Sequence, residues 1–176
     1  MRQVLLLRGI NIGKRRIAMP ALRELFTAAG YDDVQTYVQS GNVVLSSDAS
    51  PRQVERESAD LISERFGFEV PVVVRTRAEL ARVVKANPLG HLADNDKRYQ
   101  VCFLARKLDA ETAERLRGLV VEPEAVAIDG REIYAWHPDG IARSKLWNAI
   151  ASKGLGVTGT ARNWTTVATL LEMTQG

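Results

Sequence analysis

The chain has 176 residues, 45% of them hydrophobic and 26% charged, a balance that fits one substantial core or two small packed halves and excludes a disordered chain. No apolar run approaches the ~20 residues of a membrane span, and Leu5–Leu7 is stopped by Arg8, short of the roughly 7–15 residues of a secretory core. The net charge of +3 conceals a segregation: residues 1–31 carry +5, residues 140–166 carry +4 with no acid, and the remainder carries −6.

Val4 to Leu7 reads as a first strand, followed by the loop Arg8-Gly9-Ile10-Asn11-Ile12-Gly13-Lys14-Arg15-Arg16. Pro20 suits a first helical turn, and Leu22, Leu25, Phe26 and Ala29 then share one helical face that ends at Gly30. Val34 to Gln39 and Val43 to Ser46 read as strands around a Ser40-Gly41-Asn42 turn. Ser50-Pro51 opens a helix carrying Val54, Leu61, Ile62 and Phe66, and valine-rich Glu69 to Arg75 is a fourth strand. Thr76-Arg77-Ala78-Glu79 is a capping box for a helix that stops at Asn87-Pro88.

The segment to Asp96 is the natural boundary, after which the pattern restarts. Arg98 to Ala105 is a strand, Asp109 caps a helix, and Glu124 to Trp136 is a hairpin folded at Asp129-Gly130, a type I′ signal. Ser144 and Asn163 cap two final helices. The expected fold is α+β: two ferredoxin-like βαββα(β) halves, residues 1–87 and 97–176, with antiparallel sheets and helices packed on one face. In this reading the second half ends in a helix where the first has a strand.

The opening loop points to an anion, because its glycines bring backbone amides close to a ligand and its four cations favour negative charge. It is not a P-loop: three residues, not four, separate Gly9 from Gly13-Lys14, and Arg15 stands where a hydroxyl should be. The competing reading is a tight turn. Arg143-Ser144-Lys145 and Arg162-Asn163-Trp164 each set an arginine before a helix cap, an arrangement suited to phosphate or carboxylate, or to ion pairs with the acidic middle. Arg8, Asn11, Lys14, Arg143, Ser144, Lys145, Arg162 and Asn163 are therefore the candidate anion ligands.

Gln39, Ser40, Asn42 and Trp164 are further candidates. The Gln39–Asn42 turn is expected at the sheet end opposite the first loop, as a plain hairpin. Trp147 and Trp164 stack on bases if exposed, and belong to the core if not. His91 and His137 lie far apart without metal-ligand spacing, so neither metal nor cofactor is expected. No nucleophile-elbow pattern supports a Ser–His–Asp site. The lone Cys102 sits in an apolar run and reads as a buried hydrophobe in a reducing cytoplasm.

Four stretches carry a resemblance: Arg8-Gly9-Ile10-Asn11-Ile12-Gly13, Tyr37-Val38-Gln39-Ser40-Gly41-Asn42-Val43, Arg143-Ser144-Lys145-Leu146 and Arg162-Asn163-Trp164-Thr165-Thr166-Val167. In the same order they resemble the signatures of a bacterial family catalogued as domain of unknown function 1697. The resemblance implies an α+β fold with ferredoxin-like halves and no established activity.

Three functions remain open. The first is a cytoplasmic module for phosphate-bearing ligands, nucleotide or nucleic acid, bound by loops and helix ends, because the central strands carry no aromatics to stack bases. The second is a protein-interaction module using the basic face, as monomer or homodimer. The third is an enzyme on a small anionic substrate, clamped by Arg8, Lys14, Arg143 and Arg162, with Ser40, Ser144 or Asn11 orienting it. Its weakness is that these stretches hold no carboxylate or histidine to act as acid or base.

Overall fold

The computed structural model describes residues 1–176. They form an α+β protein that divides into two units, Met1–Ala81 with Leu170–Gly176, and Arg82–Thr169. No helix is long and apolar enough to cross a membrane.

In the first unit, β1 (Arg2–Leu7), α1 (Met19–Ala28), β2 (Asp32–Tyr37), β3 (Asn42–Ser46), α2 (Pro51–Phe66) and β4 (Val72–Thr76) precede α3 (Arg77–Ala86). The sheet is antiparallel in the order β2-β3-β1-β4. Strand alternation sends Leu5, Leu7, Val43, Leu45, Val72 and Val74 to a core shared with Leu22 and Phe26 of α1 and Val54 and Ile62 of α2. Burying each such side chain contributes about 1.5–3 kcal/mol. Val4, Leu6, Val44, Val73 and Arg75 alternate with them and are buried too, so both faces of this sheet are removed from water. That is why its central strand reads as a continuous apolar run.

The second unit runs β5 (Tyr99–Leu104), α4 (Ala110–Gly118), β6 (Ala125–Asp129), β7 (Glu132–Trp136), α5 (Lys145–Ala151), β8 (Gly159–Asn163) and the first part of α6 (Trp164–Met173), whose residues from Leu170 on belong to the first unit. Its sheet is antiparallel in the order β6-β7-β5-β8, matching the first strand for strand. Cys102, Leu104, Ile133 and Ala135 meet Leu116 of α4 and Leu146 and Ile150 of α5.

Local capping chemistry behaves as expected. Ser50, Asp109 and Ser144 accept from the amides of Gln53, Thr112 and Trp147. Thr76 and Glu79 exchange the reciprocal bonds of a capping box, with Glu79 accepting at 2.8 Å and Thr76 at 3.2 Å. Two expectations need correction. The second half does contain a fourth strand, β8, so βαββαβα occurs twice along the chain. It escapes a hydropathy reading because its buried positions include Thr160 and Arg162. The hairpin loop is Gly130-Arg131, between the paired Asp129 and Glu132. Only Gly130 has positive φ, the glycine-first arrangement of a type II′ turn, not type I′.

Candidate functional site

In the first unit β1 lies between β3 and β4, antiparallel to both, with Leu6 opposite Asn42 and Leu7 opposite Val72. The loop leaving β1 therefore emerges beside the turn that enters β3 and the link that enters β4. This overturns the expectation that the Gln39–Asn42 turn lies at the opposite end: Asn11 Nδ2 donates to the Gln39 carbonyl at 2.5 Å. Asn11 Oδ1 accepts from the Ile17 amide at 2.9 Å, so this one side chain ties both ends of its loop. It does so from a left-handed backbone, φ 57°, which asparagine tolerates better than most residues.

Two of the loop's arginines brace it. Arg15 donates to the carbonyls of Gly9 and Glu69 and lies 5.1 Å over the Phe68 ring. Arg16 donates to the carbonyls of Gly13 and Asn11, at 3.0 and 3.2 Å. The guanidinium groups thus take the loop's carbonyls, while the amides of Gly9, Ile10, Gly13 and Lys14 donate to no protein acceptor. Lys14 is exposed, Arg8 is half-buried, and Ile12 stands 70% exposed beside them. Gln39 and Ser40 are exposed, whereas Asn42 is buried and shapes the turn through bonds to the Tyr37 carbonyl and Ser40 Oγ. Gly41 is required there: with φ 87°, a Cβ would sit 2.7 Å from Leu7 Cβ.

The second unit collects a different group. Ala125 pairs with Trp136 across the β6–β7 hairpin, which places Glu124 beside His137. Glu124 Oε2 lies 2.6 Å from His137 Nδ1 and accepts from Ser144 Oγ at 2.6 Å. Ser144 Oγ is also the cap of α5, accepting from the Trp147 amide at 3.0 Å, and the Trp147 ring meets His137 edge-on at 5.6 Å. Glu124, Arg143, Ser144 and Lys145 line a pocket of about 460 Å³ together with Glu122 and Asp139. A carboxylate and an imidazole thus stand at Ser144, both brought from outside the stretches that hold the candidate residues. Ser144 Oγ donates to the carboxylate and also lies 3.4 Å from His137 Nδ1, but that is the ring nitrogen already paired with Glu124. A Ser–His–Asp relay sets serine and carboxylate on opposite ring nitrogens, so this group is not one.

The second arginine-and-cap pair does not join the first. Asn163 Oδ1 caps α6 through the Thr166 amide at 2.9 Å. Arg162 belongs to β8, opposite Val101, where it is only 8% exposed and donates to Thr160 Oγ1 and the Ala161 carbonyl at 2.8 Å. Burial pushes its pKa down to about 10, which still leaves it charged at neutral pH. Trp164 is buried and stacked on Tyr99 at 4.8 Å, so it offers no platform for bases. Arg75 of β4 stands opposite Val4 as Arg162 stands opposite Val101, and each is followed by the residue that caps the next helix. This repeated interior arginine is a signature of duplication that charge counting alone misreads as surface.

The chain resembles the conserved bacterial protein SP0830 from Streptococcus pneumoniae, with a TM-score of 0.78 and 23% sequence identity over 99% of this chain and 98% of that one. At that identity the likeness is one of fold. No curated protein matches. Residues 1–134, which include the first loop, the Gln39–Asn42 turn and Glu124, match the model of a family described as protein of unknown function (DUF1697), and the chain belongs to that family.

Proposed function

We propose that the protein binds phosphate-bearing ligands, nucleotide or nucleic acid, at the basic end of its first sheet, and that each of its halves is ferredoxin-like. The observation that carries this reading is the first loop, where four amides without protein acceptors sit beside the exposed Lys14. Amides of a left-handed loop suit phosphate oxygens, and Lys14 supplies the point charge. Arg8, Asn11, Gln39 and Ser40 border the same ground, and exposed Ile12 offers an apolar contact to a sugar or base. Arg15 and Arg16 act by holding the loop's shape. With Trp164 stacked inside the protein, recognition rests on phosphate more than on bases. The thiol of Cys102, buried and in no disulfide, suits a reducing, cytoplasmic setting.

Thermal melting at low salt tests the reading, with inorganic phosphate, mononucleotides and short oligonucleotides as probes. A bound probe at ~100 times its dissociation constant adds about 2.7 kcal/mol to stability. The expected outcome is a rise that fades with salt and is lost in Lys14→Glu. Absence of any rise from a protein that melts cooperatively would remove the proposal.

A further inference from the structure

Glu124 is held by one oxygen and idle at the other. Oε2 takes both protein donors, Ser144 Oγ and His137 Nδ1. His137 is fully buried and braced by the Trp147 edge, so the carboxylate is fixed in direction. Oε1 has no protein donor, yet it is not among the buried polar atoms that lack a partner, so it opens to solvent on the pocket that Glu124 lines. In the lining of the same pocket Arg143 and Lys145 are exposed and engage no carboxylate of the protein.

We infer that this pocket of the second unit is a binding site for a small zwitterion, whose ammonium group donates to Glu124 Oε1 while its phosphate or carboxylate meets Arg143 and Lys145. The charge pattern selects this class. A simple anion would face Glu122, Glu124 and Asp139, and a simple amine would face both cations. A molecule bearing both charges satisfies both sets. The volume of about 460 Å³ falls within the range of small-molecule sites. The pocket shares no residue with the loop of the first unit, so it stands or fails separately from the phosphate-binding proposal.

The test compares a whole ligand with its halves by calorimetric titration. Phosphoethanolamine and β-alanine are the zwitterions, one for each anion type, and inorganic phosphate and ethylamine are the halves. At least one zwitterion is expected to bind about tenfold or more tighter than either half. Glu124→Gln is the informative variant. Its amide oxygen keeps the two donors, so the pocket-facing atom becomes an NH₂ donor that repels an ammonium group. That variant is expected to reduce the zwitterion to the level of its anionic half. Lys145→Ala, at an exposed position, is expected to weaken it toward the level of ethylamine, and carries the test if Glu124→Gln does not fold. Equal affinity for whole and halves, no binding at about 10 mM, or zwitterion binding indifferent to the variant that folds would each overturn the assignment.

Discussion

The two units repeat the same seven elements and the same strand order, and even the interior arginine and helix cap at the end of the fourth strand, yet they place their chemistry in different links. In the first unit the link after the first strand is long, residues 8–18, and holds the cationic loop; its counterpart in the second unit is the short 105–109. After the third strand the order reverses: residues 47–50 in the first unit, residues 137–144 in the second, the latter holding His137, Arg143 and Ser144. The corner before the second strand diverges as well. Tyr31 stands there in the first unit and donates to Glu57 at 2.8 Å, while Glu124 stands there in the second. A sheet buried in the core tolerates little change, because each inward position is packed. Links at the strand ends are constrained only by closure, so new chemistry accumulates there and at opposite ends of the two sheets.

The comparison can be broken first at two glycines. Ala at Gly41 would put a Cβ 2.7 Å from Leu7 Cβ and 3.0 Å from Ile10 Cδ1, on a backbone with φ 87°. Ala at Gly159 would meet Cys102 Sγ and Leu104 Cδ2 at 2.9 Å, with no left-handed backbone to strain. Gly41→Ala is expected to cost ~2–4 kcal/mol and Gly159→Ala ~1–3 kcal/mol, read from denaturant midpoints. Gly41→Ala also presses on Ile10 and should disturb the first loop. Equal costs with an intact loop would mean that the turn into β3 does not hold that loop in place.

A smaller effect separates the two cap serines. Ser50 caps α2 from an exposed position, with the Gln53 amide at 3.2 Å as its partner. Ser144 caps α5 and also donates to Glu124, from a position 7% exposed. Ser50→Ala should cost about 1 kcal/mol, and Ser144→Ala ~2–3 kcal/mol, because a part-buried carboxylate loses a donor besides the cap. A double-mutant cycle of Ser144→Ala with Glu124→Gln should show coupling, whereas Ser50→Ala with Glu124→Gln should be additive. Additivity in both would reduce Ser144 to a cap like any other.

What the chain discloses by itself divides along the same line as local and non-local structure. Helix starts are local, and the caps at Ser50, Thr76, Asp109, Ser144 and Asn163 all fall where side-chain type placed them. Strand β8 lacks an apolar run, and the signal that would have found it is the repeat of Arg75-Thr76 with Leu80 four further on in Arg162-Asn163 with Val167. The meeting of Asn11 with Gln39 depends on β1 pairing with β3, which no periodicity reports. Glu124 and His137 are thirteen positions apart and meet because the hairpin loop is Gly130-Arg131; a fold at Asp129-Gly130 would set Glu124 across from Ala135 instead. Reading charges along the chain, and not across the hairpin, hid that pair.

The least effect at neutral pH, and the most specific at high pH, comes from tyrosine. Burial, then the hydrogen bond and charge of Glu57, push Tyr31 up to about 12. Burial pushes Tyr99 up to about 12 as well, partly opposed by the Leu89 amide that donates to its oxygen. Tyr134 is raised further, by burial first and then by the charges of Glu132 and Asp129. Each fold-state pKa lies above the unfolded value near 10, so the neutral phenol is the form the fold prefers. The stability this contributes is fully present below about pH 10 and is lost as pH rises through about 12. The two units then differ in number: the second holds two such groups and the first holds one. A tyrosinate absorbance titration of the native protein should show Tyr31, Tyr99 and Tyr134 ionising late. Tyr31→Phe should remove one late step and leave the alkaline loss of the second unit's structure in place. If Tyr31 ionises in the ordinary range while the fold persists, the corner it occupies is open to water, in contrast to the fully buried imidazole of His137 at the matching corner.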